Sequence, residues 1–233
     1  MRNVITLRCN VMRFRYCVNM GRRRIHDETT ADALLDAAEA ILEAEGLEAL
    51  TVRRVADEVG TTTRAVYSSL GSKDALLTGL GMRAFDLLGT RVAALPRSDD
   101  PAADLVAAGT SGFREWALAH PALFQIAFQQ QTSVPRDVWM RFGPSAERAL
   151  ETLYELIRRV QADRGLGDRT VQEATWQFHC LCEGLAAVDL RGGMSSSSAD
   201  SRSIWADALG SLVAGWRVTP VGRPVDPRAR MQP

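Results

Sequence analysis

Apolar side chains recur along this chain at the spacing of helices, and no stretch alternates as a half-buried strand does. The densest punctuation falls in residues 50–76, LTVRRVADEVGTTTRAVYSSLGSKDAL. Val52, Val55, Ala56 and Val59 form the stripe of a short amphipathic helix, with Thr51 placed to cap it and Gly60 to end it. Thr62 is placed to cap a second short helix, whose narrow apolar side is Ala65, Val66 and Leu70. Gly71 breaks that helix, and Ser72 caps a third that carries Lys73 in its first turn. A cation there opposes the helix dipole, which favours acids at an N-terminus, so Lys73 is expected to face a phosphate.

The same reading extends both ways. Upstream, Thr29 or Thr30 is placed to cap a helix with the stripe Leu34, Leu35, Ala38, Ile41 and Leu42, stopped by Gly46. Leu47 and Leu50 are expected to seal a small core against Val52, Val55 and Val66. This gives a three-helix module over residues 28–72, small for independent stability and expected to lean on the helix after it. That helix, residues 72–95, is apolar on more than one side, and Gly79, Gly81 and Gly89 lower its propensity and permit bending. Downstream, Asp100-Pro101 and His120-Pro121 open two helices, and a short piece follows around Val138 to Phe142. Three longer helices are predicted over 144–162, from the capping box Thr170/Glu173 to Leu190, and over 201–216. The chain therefore divides into an extension (1–27), the small module (28–72), a larger helical body with its connecting helix (73–217) and a proline-containing tail expected to be disordered (218–233).

Composition adds constraints. Apolar residues make up 46% and charged residues 24% of the 233, ordinary for a globular protein, and the formal net charge is zero. Residues 20–80 hold eleven acids and seven bases, so any nucleic acid must be met by local patches rather than bulk charge. The chain has 27 arginines and one lysine, Lys73. Residues 1–26 contain seven arginines and no acid; they read either as a basic arm or, up to residue 19, as sequence preceding a start at Met20, with Arg22 to Arg24 kept as a short arm. Cys180 and Cys182 point to different sides of one predicted helix, and Cys9 and Cys17 lie in the extension. This is neither a disulfide framework nor a zinc spacing, and a reducing cytoplasm is the expected compartment. No apolar run approaches the ~18–20 residues of a membrane span.

Thr63, Arg64, Tyr67 and Ser68 project away from the apolar side of the second short helix. A packing helix has no need of such donors, whereas a helix laid against nucleic acid does. The run Thr51, Val59-Gly60, Thr62, Tyr67 and Ser72-Lys73-Asp74-Ala75-Leu76 resembles the helix-turn-helix signature of TetR-type transcriptional regulators, and the likeness extends over residues 28–95. Two positions depart from that pattern: Arg64 stands where a glycine or small residue is common, and Ser69-Leu70 where a pair of aromatics is common. Trp116 to Phe128, WALAHPALFQIAF, and Trp176 to Gly192, WQFHCLCEGLAAVDLRG, resemble the regulatory domains of one TetR subgroup. The resemblance implies an all-α fold in which an N-terminal three-helix DNA-binding module is followed by a helical ligand-binding and dimerisation domain. It implies a homodimer on a palindromic double-stranded DNA operator, acting as a repressor, released by a small-molecule effector, with no cofactor. The last two long helices would pair with their copies. DNA contacts would come from Thr51, Thr62, Thr63, Arg64, Tyr67, Ser68 and Lys73, with Arg64 choosing bases and Tyr67 and Lys73 holding phosphates.

Trp116, Phe124, Phe128, Trp139, Phe142, Trp176 and Phe178 are candidates to line a cavity for a largely apolar effector, although each also reads as ordinary core. His179, Cys180, Cys182 and Glu183 concentrate ligand-type residues, but His179 and Glu183 share a helix face that the cysteines do not, so no metal site is expected. No catalytic constellation stands out, and the chain is not expected to be an enzyme. Two alternatives stay open: a regulator controlled by redox or a protein partner, and a small-molecule binder or enzyme with an incidental helix-turn-helix.

Overall fold

Helix packing alone builds the computed structural model, which describes residues 25–129, 143–194 and 198–218. Among those residues there are nine helices and no strand. The first four are α1 (Ile25–Glu45), α2 (Val52–Val59), α3 (Thr63–Leu70) and α4 (Lys73–Ala93). Helix α5 is α-helical over Pro101–Ala107, widens to a π-helix over Ala108–Arg114 and closes as α-helix over Glu115–Ala119. Helix α6 likewise runs Pro121–Phe124 and continues as a π-helix over Gln125–Gln129. The last three are α7 (Gly143–Arg164), α8 (Val171–Leu190) and α9 (Ser198–Val218). The basic extension through Arg24, Trp139, Phe142 and the tail beyond Val218 lie outside the described residues.

Local chemistry sets most boundaries. The Thr51, Thr62 and Ser72 hydroxyls accept from the backbone N–H groups of Arg54, Ala65 and Ala75 at 3.1, 3.2 and 3.1 Å, capping α2, α3 and α4. Gly60 ends α2 at φ 72°, a left-handed conformation that a β-carbon penalises. At Thr170 the hydroxyl accepts from Glu173 N–H while the Glu173 carboxylate accepts from Thr170 N–H, the reciprocal pair that opens α8. One start differs from expectation. Helix α1 begins at Ile25, so Thr29 and Thr30 fall inside it rather than capping it; no proline or glycine interrupts Ile25 to Thr30.

The small module does not own a separate core. Leu34, Leu50 and Val55 are fully buried, and the same cluster continues through Leu76, Leu77 and Leu80 of α4 into the larger body. Each such leucine contributes roughly 2 kcal/mol on burial, so α4 holds the module in place. Val59, the last position of the predicted stripe, is instead exposed at the helix end. Two α4 glycines serve close approach. A β-carbon on Gly79 would lie 2.7 Å from a Leu35 methyl of α1, and one on Gly89 would lie 3.4 Å from the Ala149 Cα of α7.

The π-helical turn of α5 is pressed into the body. A β-carbon on Gly109 would sit 2.3 Å from a Leu209 methyl of α9. Buried Arg114 donates to Asp189 of α8 at 2.7 Å, and Trp205 Nε1 of α9 donates to the same carboxylate at 3.2 Å. One polar knot therefore fixes α5, α8 and α9 together. Another joins α5 to α7: Asp104 accepts from Ser98 N–H, the Ser98 hydroxyl and Arg159. Burial raises the Asp104 pKa, but these bonds outweigh it and hold the carboxyl at about 2.

Candidate functional site

Helices α2 and α3, joined through Gly60 and Thr61, form a helix-turn-helix. Val66 is buried against the module core, and this fixes which side of α3 faces out. Thr63, Arg64, Tyr67 and Ser68 are all exposed, as are the caps Thr51 and Thr62. Thr63 and Tyr67, and Arg64 and Ser68, are each four apart, so the set forms one face. Tyr67 is 54% exposed and so is not part of the module core. The Ser68 hydroxyl donates to the Arg64 carbonyl at 3.0 Å, leaving its oxygen lone pairs as its outward offering.

The cations of the module divide into two kinds. Arg54 is held by Glu45 at 2.8 Å and Glu58 at 2.6 Å, a bracing role between α1 and α2. Arg64 and Lys73 are exposed and have no ion-pair partner among the described residues. A chain with more acids than bases here nevertheless presents two uncommitted positive groups, one on α3 and one at the start of α4. Their placement suits one group for base edges and one for phosphate.

The far part of α4 enters a second site. A cavity of about 330 Å³ lies among α4, α5, α6, α7 and α8. Its walls include Phe85 and Leu88 of α4, Phe113 of α5, Phe128 of α6, Leu153 of α7 and Trp176 of α8. Of the sequence candidates, Phe128, Trp176 and Phe178 line it. Trp116 and Phe124 do not; they are 2% and 0% exposed and belong to the aromatic core beside the cavity, with ring centroids 6.4 Å apart. The Trp116 Nε1 donor is buried without a hydrogen-bond partner among the described residues. Phe85 and Phe113, which helical spacing marks only as apolar stripe residues, are also wall residues, as are His179, Cys182 and Glu183 from the group of ligand-type residues on α8.

Among the described residues the polar wall groups come from α8. The His179 ring packs against Phe113, Phe128 and Trp176 at centroid distances of 6.1, 5.6 and 5.6 Å. Burial holds its imidazole below the usual histidine range, so it is neutral at neutral pH. Its Nε2 is 3.8 Å from a Glu183 oxygen, beyond direct hydrogen-bond distance. Burial pushes the Glu183 carboxyl up. Burial also pushes the Cys182 thiol up and keeps it protonated, the opposite of a redox-sensing thiolate. No metal-binding group of three or more His, Cys, Asp or Glu occurs among the described residues, and no helix among them is long and apolar enough to cross a membrane.

The two sites are linked by α6 as well as α4. At its start, Ala122 N–H donates to Glu43 of α1 at 3.0 Å, and His120 Nδ1 lies 3.1 Å from Glu39 of α1. Arg83 of α4 reaches Glu39 at 3.0 Å and also binds Asp36. At its other end, Ala127 and Phe128 form cavity wall.

Residues 34–80 match the family model described as bacterial regulatory proteins, tetR family, and residues 106–212 match the tetracyclin repressor-like C-terminal domain. The HTH-type transcriptional repressor DrrR1 of Streptomyces coeruleorubidus is 34% identical over 137 residues, which are 55% of this chain and 43% of the repressor. The match thus spans less than half the length of that curated relative. Among solved structures, a protein of unknown function from Rhodococcus sp. RHA1 superposes with a TM-score of 0.70 at 19% identity, over 80% of this chain and 95% of the other. Apo ActR from Streptomyces coelicolor superposes at 0.53 with 25% identity, over 80% and 93%. PfmR, a TetR family transcriptional regulator from Thermus thermophilus, does so at 0.58 with 17% identity, over 78% and 97%.

Proposed function

Because the chain belongs to the TetR family of DNA-binding transcriptional regulators, we propose that it is a homodimeric repressor of a palindromic operator, released when a small molecule enters the five-helix cavity. One observation carries this reading: a single helix, α4, begins at Lys73 beside the α3 face and continues through Phe85, Leu88 and Val92 in the cavity wall. At 1.5 Å per residue it spans about 30 Å, so a small tilt at the cavity becomes a larger displacement at the DNA end. Helix α3 enters the major groove, with Arg64 reading a base edge and Thr63, Tyr67, Ser68 and Lys73 setting register on the backbone. Thr51 and Thr62 serve first as caps, and their exposure would let them also approach phosphates. The relative named as a repressor supports the sign of regulation.

Release requires that the effector bind one conformer more tightly than the other. In the operator-bound form α6 is braced on α1 by Glu39 and Glu43. An effector that displaces Phe128 moves α6 and so loads both α1 and α4. Dimerisation falls to α8 and α9, which expose Val188 and Ile204. The test is a selection from random duplexes with the purified full chain. Enrichment of a palindrome, with protected half-sites roughly 34–36 Å apart or a related spacing, is the expected outcome. No enrichment at low salt, or enrichment of single half-sites only, overturns it.

A further inference from the structure

The cavity walls carry one feature that sorts possible effectors by charge. Among the described wall residues its polar groups are His179, Cys180, Cys182 and Glu183, all from α8, and none is a lysine or arginine. Among the described residues Glu183 is the one acid in the wall, and no Lys or Arg pairs with it; the His179 imidazole lies 3.8 Å away. That imidazole is itself enclosed by aromatic rings, an environment that keeps it uncharged. Among the described residues the cavity therefore presents a carboxyl group with no compensating base; burial disfavours its ionised form, and a bound cation would restore it. Trp176 and Phe128 line the same cavity, aromatic groups whose faces attract cations through the ring quadrupole. Trp176 is 45% exposed and Glu183 partly so, which places both where the cavity meets solvent, while Phe85, Phe113 and Phe128 lie deeper.

We propose that the cavity selects apolar cations: an aromatic or aliphatic body enters among Phe85, Phe113 and Phe128, and a protonated amine or quaternary ammonium is held at the mouth by Glu183 and Trp176. Carboxylate and phosphate ligands of the same size are rejected, because they would meet Glu183 with no base to neutralise them. This rests on the effector-cavity reading above and narrows it to a ligand class.

The test uses the full-length protein and three probes sharing one ring system: naphthylmethylamine as the cation, naphthylmethanol as the neutral alcohol and naphthoate as the anion. Isothermal titration at neutral pH is expected to give the cation about tenfold or more tighter binding than the alcohol, and the anion the weakest of the three. Glu183→Gln is expected to remove the cation's advantage over the alcohol. Glu183→Asp, which keeps the charge, retains part of it and serves if the glutamine variant does not fold. Equal or tighter binding of naphthoate, or an advantage that persists in Glu183→Gln, overturns the charge selection while leaving the cavity as an effector site. Failure of all three probes to bind overturns the effector-cavity reading itself, and this inference with it.

Discussion

Arg64 and Lys73 carry the same charge to different ends. A guanidinium offers a planar fork of donors that matches a guanine edge, whereas an ammonium at a helix start offers a point charge to a phosphate. Arg64→Ala is expected to flatten preference at one position of each half-site, costing about 1–3 kcal/mol for the preferred base. Lys73→Ala is expected to weaken operator and scrambled duplex alike. It should also reduce the slope of log affinity against log salt by about one for each phosphate no longer neutralised. Fluorescence anisotropy on both duplexes across a salt series separates the two effects, and normal binding by both variants would show that α3 and the α4 start are not the DNA face. At this scale the sequence was most legible where chemistry is local. The caps Thr51, Thr62 and Ser72 lie within three residues of the N–H groups they accept from, so their role is written in adjacent letters. Trp116 and Phe124 show the converse. Helical spacing marks an apolar face, but not which apolar residue borders a void, and a void forms from the misfit of helices far apart in the chain.

Among the elements, α6 is the piece whose role only folding discloses. Its start is bonded to Glu39 and Glu43, Ala122 and Glu43 being 79 positions apart in sequence, and its π-helical end reaches the cavity. The His120-Pro121 start was readable; the partner on α1 was not, because acids on an exposed-looking helix face carry no address. The same holds for α4, whose glycines read as bending points, while Gly79 and Gly89 let Leu35 and Ala149 approach. If α6 transmits the signal, removing its brace should separate binding from response. The double variant Glu39→Ala, Glu43→Ala is expected to bind operator and effector within a few-fold of the parent. Effector-driven release should fall by about fivefold or more, the lower end of ordinary coupling energies. The readout is operator affinity with and without saturating effector, alongside a thermal melt to confirm folding. Full release in that variant would assign transmission to α4 alone.

The whole molecule has no net charge, and its module is acid-rich, so bulk attraction to DNA cannot supply its affinity. A few placed groups per subunit must be multiplied instead, and a symmetric dimer does that by tethering a second reader at an effective concentration on the order of mM once the first is bound. If the dimer forms through α8 and α9 as proposed, that surface is as important to operator binding as α3 itself. Val188 is 36% and Ile204 41% exposed on these helices, apolar groups left facing water in the isolated chain. Aspartate at both positions would place two charges per subunit into a symmetric contact, where each meets its own copy or a neighbour. Val188→Asp, Ile204→Asp is therefore expected to sediment as a species near 25.5 kDa. It should lose operator affinity by about a hundredfold or more while keeping the salt dependence of a single half-site. Sedimentation velocity and anisotropy on the same samples decide it. A variant that stays dimeric moves the interface elsewhere on the molecule, and a monomer that still binds the palindrome tightly shows that each module reads alone.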